Sequence, residues 1–482
     1  MGIAAWARAQ PQKTAIAFGA RRISYGELDA RANRCARLLQ SHGVQAGDRV
    51  AIALRNRPEF LEIAAAAARL RAEIVPVSWR FKRDEMRYML DDSAARIAFV
   101  EDDAPIGSHD EGAPLIPLGA YEEALRAHSA APAGEDLPPS FRYYTSGTSG
   151  RPKAVERPKA DPAGAAARAA ALPTMAGLTG PGEVHLACGP LYHTAPCAFA
   201  NYALLFGHTV VLMQSFDARD ALRAIQDERV TWTHMVPINF IRILDVRERF
   251  DCSSLKRVLH AAAPCPVDVK RRIMDRFPPG VVLEYYGMTE GLATMIDADE
   301  WVRKPGSVGR AIPGARLTIR DATGAVLAPG ETGVVYVTGA RFEYAGAPEK
   351  TAEAWRGDEF TVGDMGTLDA DGYLYLTDRA QDMIITGGAN VYPAEVEAVL
   401  LQHEGVRDCA VIGVPDDEFG EAVHAIVEGD APDLVEFARA RLAHYKCPRT
   451  VSFVDELPRD PTGTVRKREL REPYWEGRAT RI

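Results

Sequence analysis

The sequence predicts an α/β protein with a large N-terminal domain of parallel-rich sheets and helices, a β-rich subdomain within it, and a small C-terminal α+β domain. Three observations predict this. The first 130 residues alternate helical and strand patterns, which favours a mostly parallel sheet covered by helices. From residue 306 onward the texture changes to glycine-punctuated strands. After Asp378 the chain reads as a compact strand, turn and helix unit. A chain of 482 residues is too long for one hydrophobic core, so domains are expected at 1–378 and 379–482.

The elements follow in order. "SYGELDARANRCARLLQSHG" opens with Ser24 and Glu27 in capping-box spacing, carries apolar residues at helical intervals and ends on Gly43. "RVAIAL" and "AEIVPV" read as short buried strands on either side of the helix "PEFLEIAAAAARL". Residues 103–140 read as a polar connection bearing Gly and Pro. The strand rhythm resumes in "HTVVLM", "VTWTHMVP", "KRVLHAAAP" and "VVLEYYG". "ARLTIRDATGAVL", "TGVVYVTG" and "GYLYLTD" look like hairpins. "RAQDMIITGGANVYPAEVEAVLLQH" reads as strand, glycine turn and helix, followed by "CAVIGVPD", "AVHAIVEG" and a helix over 433–443.

Composition narrows the function classes. With 47% hydrophobic and 26% charged residues the chain has an ordinary soluble globular profile. A net charge of −9 argues against nucleic acid as a partner, while local loops can still bind small anions. The seven cysteines are scattered and lack CxxC spacing, so reduced cytosolic thiols are expected rather than a disulfide framework or zinc site. "MGIAAWARAQPQ" has no apolar run suited to a signal peptide, and Trp6 stands where a myristoylation signal needs Ser or Thr. Glu62, Arg69, Arg71 and Glu73 interrupt the most apolar stretch too early for a membrane span. A cytoplasmic protein is expected, of open oligomeric state.

Five loops bear chemistry. "YYTSGTSGRPKAV" supplies hydroxyl donors at Thr145, Ser146, Thr148 and Ser149. Its Gly147 and Gly150 allow close backbone approach, and Lys153 adds charge. These are the parts of a phosphate cradle, without Walker spacing; a flexible Ser/Thr/Gly linker is the plain alternative. "LEYYGMTE" puts Tyr286, Gly287, Thr289 and Glu290 at the end of a buried strand, where ligands bind in open α/β sheets. Tyr286 can stack on a flat ring, Thr289 can donate to a phosphate and Glu290 can hold Mg²⁺; taken alone, the stretch reads more readily as a core aromatic pair followed by a helix-capping Thr and Glu. "TVGDMG" places Asp364 between glycines, suited to sugar hydroxyls or simply to a turn. "PLYHTAP" carries His193 among apolar residues, and "TGGANVYP" offers Gly387 and Gly388 in a turn. There is no Ser-His-Asp order, HExxH spacing or GxGxxG loop after a strand, which argues against hydrolase, zincin and Rossmann chemistry.

In order and spacing these loops resemble the adenylate-forming superfamily of acyl-CoA synthetases, peptide-synthetase adenylation domains and luciferases, over nearly the whole chain. "PLYHTAP", "HMVP", "HAAAPCP", "PEKTAEAWR" and "HYKCPR" are most similar to its fatty-acyl or aryl acyl-CoA ligase branch. The resemblance implies ATP, Mg²⁺ and CoA, with a small-molecule acid as substrate. By it, Thr145 to Lys153 hold the β- and γ-phosphates, and Ala262, Ala263 and Pro264 with Tyr286 frame the adenine. Thr289 touches the α-phosphate, Glu290 holds Mg²⁺ and Asp364 binds the ribose. Arg379 sits at an interdomain hinge and His193 lies by the acid. The small domain is mobile, bringing Gly387 and Gly388 to the pantetheine path.

Two positions depart from the family pattern. Its last motif reads Pro-Thr-Gly-Lys, the lysine bridging carboxylate and α-phosphate; here that position is Thr464. A threonine hydroxyl brings no charge, and losing one such contact costs on the order of 10²–10³ in rate. Lys467, three residues on, is a weak substitute, and Arg466 to Arg468 read as a solvated flank. At the hinge, Gln381 stands where Asp or Lys is common, a mild change. Three functions follow: an acid–CoA ligase that tolerates Thr464; an ATP-dependent diazotase that activates nitrite for transfer to an aryl amine, for which a lysine bridge is not needed; and a non-catalytic nucleotide- or acyl-binding homologue, disfavoured by the intact phosphate, Mg²⁺ and ribose motifs.

Overall fold

The βαβ unit expected near the N-terminus is present. Strand Arg49–Ala53 leads through helix Pro58–Arg69 to strand Glu73–Pro76, and the two strands pair in parallel. Helix Tyr25–Ser41 begins where the Ser24 side chain accepts from the Glu27 amide, and the chain leaves it through Gly43 at a φ of 76°, which an L side chain rarely adopts. The structure is a computed structural model that describes residues 2–107, 112–145, 152–158, 162–379, 382–386, 389–416, 419–459 and 464–476.

The chain divides into two compact units: Met1–Met235 with Asp245–Leu259 and Arg341–Thr351, and Val236–Leu244 with His260–Ala340 and Ala352–Ile482. The first unit holds an all-parallel five-stranded sheet in the order Leu115–Pro117, Ile97–Val100, Arg49–Ala53, Glu73–Pro76, Ser140–Phe141. A second sheet places Val184–Ala187 in parallel between Trp232–Met235 and Thr209–Leu212, followed by Thr14–Phe18 and the antiparallel Arg21–Ser24. Residues 103–140 are not merely a connection: helix Leu118–Arg126 forms there because Tyr121 and Leu125, one turn apart, give it a buried stripe.

Beside the second sheet lies a layer of rings. His185 stacks on Trp232 with centroids 3.8 Å apart, and Trp232 Nε1 donates to His208 Nδ1 at 3.2 Å. Phe199 of helix Thr194–Leu205 packs edge-on to Trp232 at 5.8 Å and against His234 at 5.3 Å. Burial keeps these imidazoles neutral, pushing His208 down to about 4 and His234 down to about 3. His185 is held well below its usual range by burial and by the His208 and His234 rings.

In the second unit, Val282–Met288 and Gly291–Asp297 form an antiparallel hairpin extended by Arg310–Ala311. The expected glycine-punctuated hairpins form an antiparallel sheet in which Gly333–Thr338 pairs with Leu317–Arg320, Glu359–Phe360 and Asp364–Leu368, the last continuing to Leu374–Arg379. The C-terminal sheet runs Ala389–Val391, Ile384–Thr386, Gly420–Gly429, Val406–Asp416, with Thr450–Val454 parallel to Gly420–Gly429. Its core packs Val396 and Leu400 of helix Pro393–Leu400 on Val411, Val423 and Val427. The helix expected over 433–443 is shorter, Leu434–Arg439. No described helix is long and apolar enough to cross a membrane.

Candidate active site

Strand Val282–Met288 is buried through Tyr285 and half-buried from Tyr286 on, so its last residues emerge from the core. The register slips between Tyr286 and Gly287, and a Cβ on Gly287 would meet the Gly291 carbonyl and Leu292 at 3.2 Å. Thr289 and Glu290 then form the turn of the hairpin rather than a helix cap. Glu290 is only 6% exposed despite its place in a turn. Its carboxylate oxygens are hard donors of the kind that suit a divalent ion.

Asp364 begins strand Asp364–Leu368, and Gly363 before it adopts a φ of 85° and donates to Thr361 Oγ1 at 3.0 Å. The Tyr286 hydroxyl donates to Asp364 Oδ2 at 2.5 Å across 78 positions of sequence. Two residues expected to serve one nucleoside are thereby joined. A carboxylate has several acceptor sites, so this bond orients Asp364 and leaves capacity for further donors. Arg379 is the antiparallel partner of Asp364 in the neighbouring strand. The loop of Ala262, Ala263 and Pro264 follows strand Arg257–His260, with Ala262 and Pro264 exposed. Ala262 has a φ of 77°, a conformation that costs a non-glycine residue on the order of 1–3 kcal/mol and clusters at ligand clamps.

In the first unit, Thr145 pairs with Lys153 in the antiparallel pair Tyr144–Thr145 and Lys153–Glu156. The described ends of the expected phosphate loop, Thr145 and Lys153, are thus held side by side by strand pairing. Thr145 Oγ1 is buried with no hydrogen-bond partner among the described residues. Such an orphaned hydroxyl fits a site awaiting a polar ligand. Ser146, Gly147, Thr148, Ser149 and Gly150 lie outside the described residues, as do Gly387, Gly388 and Gln381. His193 is the residue before helix Thr194–Leu205, its ring 4.7 Å from that of Tyr192.

Thr464 is half-buried and precedes Val465, which bridges to Arg459. The basic residues after it are not a uniformly solvated flank. Lys467 Nζ lies 2.9 Å from Glu397 Oε1 with both side chains mostly covered, because helix Lys467–Trp475 packs on strand Val406–Asp416. Arg466 pairs with Glu469 at 2.6 Å, Arg468 with Glu472 at 2.7 Å and Arg471 with Asp382 at 3.4 Å. Lys467 is thus committed to a carboxylate of its own neighbourhood. Sequence reasoning also passed over Lys270 and Glu284, which are buried together, Lys270 on the helix that follows the Ala262 loop. The signal was a single carboxylate inside the apolar run "VVLEYYG".

Residues 3–342 match the model of the AMP-binding enzyme family, and residues 395–464 match that of the AMP-binding enzyme C-terminal domain. The chain belongs to the AMP-binding enzyme family. It is 35% identical to a feruloyl-CoA synthase of an Amycolatopsis species over 98% of this chain and 99% of that one. It is 34% identical to the long-chain-fatty-acid–CoA ligase FadD13 of Mycobacterium tuberculosis over 94% and 93%. Among solved structures, ATP-bound MatB from Rhodopseudomonas palustris superposes with a TM-score of 0.86 at 32% identity, covering 99% of each chain. The adenylate-forming fold expected from the loops is therefore the fold of this AMP-binding enzyme.

Proposed function

We propose that this AMP-binding enzyme is an AMP-forming acid–CoA ligase acting on a fatty or aromatic carboxylic acid. The observation that carries the reading is the Tyr286–Asp364 hydrogen bond, which joins the residue assigned to the adenine with the one assigned to the ribose. Relatives named for an aryl and for a long-chain acid support the substrate class.

In the first half-reaction a carboxylate oxygen of the acid attacks the α-phosphorus of ATP, the bond to the β-phosphate oxygen breaks, and pyrophosphate leaves. In the second the CoA sulfur attacks the acyl carbon and AMP leaves. Negative charge accumulates on phosphate oxygens in the first step, so fixed donors are worth most there. Thr145, the hydroxyls of 146–149 and Lys153 orient the β- and γ-phosphates, and Thr289 the α-phosphate. Tyr286 with Ala262, Ala263 and Pro264 holds the base, Asp364 the ribose, and His193 flanks the acid. Glu290 would hold Mg²⁺, which neutralises phosphate oxygens when bound. Thr464 offers one hydroxyl where the family has an ammonium, and Lys467, engaged with Glu397, does not replace it. A boundary at 378/379, with Arg379 as hinge and Gln381 beside it, lets the C-terminal domain turn to bring Gly387 and Gly388 to the pantetheine arm. A cytoplasmic location accords with these substrates.

The test is to incubate the protein with Mg-ATP and a panel of fatty acids, aryl acids, or nitrite with an aryl amine, with and without CoA, and to quantify AMP and pyrophosphate. Acid- and CoA-dependent AMP is expected. AMP formed only with nitrite and amine overturns the ligase in favour of the diazotase that Thr464 would suit. ATP binding without turnover leaves a non-catalytic homologue. The Thr464→Lys variant should adenylate a carboxylate faster, by roughly 10²–10³ if the full contact is regained; an unchanged rate removes Thr464 from the catalytic position.

A further inference from the structure

Three residues of the second unit come together in one buried cluster. Glu284 lies in strand Val282–Met288, two positions before Tyr286. Lys270 lies in helix Val267–Arg276 and donates to Glu284 Oε2. His260 ends strand Arg257–His260, its Nε2 3.8 Å from the same oxygen. Exposures are 0% for His260, 1% for Lys270 and 6% for Glu284. The Lys270 ammonium also sits 4.7 Å over the ring of Trp301, and Phe240 packs edge-on to His260 at 5.2 Å.

The position of these residues in the chain gives the cluster its meaning. His260 and Lys270 bracket the loop 261–266, which contains Ala262, Ala263 and Pro264, and Glu284 is in the strand that delivers Tyr286. Burial pushes the Glu284 carboxyl up against the pull of Lys270. Burial and then the Glu284 charge push up the thiol of Cys265, a member of the loop, so the cluster's charge is felt there. Stability alone does not call for such a pair, because apolar residues of similar volume usually serve as well or better. A hydrogen-bonded ion pair does supply a direction, which packing of alkyl groups supplies poorly.

We propose that Lys270 and Glu284, with His260 beside them, are positioning residues for the nucleotide base: the Lys270–Glu284 pair ties the helix that follows loop 261–266 to the strand that carries Tyr286, and His260, at the loop's other end, lies against the same carboxylate. The inference rests on the proposed ATP-dependent reading of that loop. It makes the strained Ala262 backbone and the Tyr286 ring a single preformed cradle, set by residues that do not themselves hold the base.

The test compares wild type with Lys270→Met/Glu284→Met, an apolar replacement of similar volume. Titration calorimetry with AMP is combined with the KM for ATP and for the acid. The expected result is a thermal midpoint close to wild type, AMP affinity weakened and KM for ATP raised about tenfold, and KM for the acid unchanged. A folded double variant with wild-type KM for ATP, or with both KM values raised equally, overturns the proposal. If the double variant does not fold, Glu284→Gln is read in the same way with the same two outcomes. Wild-type protein that neither binds AMP nor releases pyrophosphate instead removes the ligase reading and this inference with it, so the two failures are separable.

Discussion

In the first unit, His185, His208 and His234 are buried as neutral rings against Trp232 and Phe199, whereas in the second unit Lys270 and Glu284 are buried as an ion pair beside His260. Both regions withdraw titratable groups from water, and each handles the cost differently. The imidazoles give up their charge and use their faces for packing. Lys270 instead donates to Glu284, so that each satisfies the other's hydrogen-bonding groups. The two therefore respond to pH in opposite directions. The histidines, with folded pKa values below the ordinary 6.5, contribute stability that is present above 6.5 and lost as pH falls toward 3. Glu284, with a folded pKa above the ordinary 4.5, contributes stability that is present below 4.5 and lost as pH rises through its folded value.

The largest test breaks the charged region alone. Lys270→Met leaves a buried carboxylate without its cation and should cost about 3–5 kcal/mol near pH 8 in urea unfolding. The loss should shrink as pH falls and Glu284 takes up a proton; a pH-independent loss would assign the cost to packing. A somewhat smaller effect sharpens the neutral region. His234→Leu removes one imidazole that resists protonation, so wild type should lose about 3 kcal/mol more than the variant between pH 7 and pH 4. Equal acid sensitivity would mean that His234 is not buried in its neutral form. The smallest test is a control on the surface. Arg468→Ala breaks an exposed i,i+4 pair with Glu472 and should change stability by no more than about 0.5 kcal/mol. A loss of several kcal/mol would show that the basic helix is anchored through that residue.

The parts of this protein that depend on periodicity were legible in the sequence. The βαβ unit, the Ser24 cap and the glycine-punctuated hairpins all follow from local pattern. The loop order sufficed for the family because each loop's chemistry is local. What escaped notice depends on long-range pairing. The Tyr286–Asp364 bond spans 78 positions, and no local pattern announces it. Lys270 lies in a stripe with Val269 and Ile273, and Glu284 stands in an apolar strand; only together do they make sense of each other. Lys467 read as a solvated charge because its neighbours are basic, while its partner Glu397 lies on a helix 70 positions away by residue number. Helix Leu118–Arg126 was hidden in a stretch whose polarity outweighed two buried residues.

The paired basic helix after Thr464 has a consequence for handling the protein. Arg466, Lys467, Arg468 and Arg471 are all trypsin targets, yet they sit on helix Lys467–Trp475 or at its start, and Trp475 Nε1 and the Tyr474 hydroxyl fasten its far end to the Gly413 carbonyl and His424. A protease needs an extended backbone, so cleavage here must wait for the helix to come off its sheet. The rate of nicking at these sites thus serves as a built-in clock for local opening of the C-terminal sheet, readable on a gel without any label.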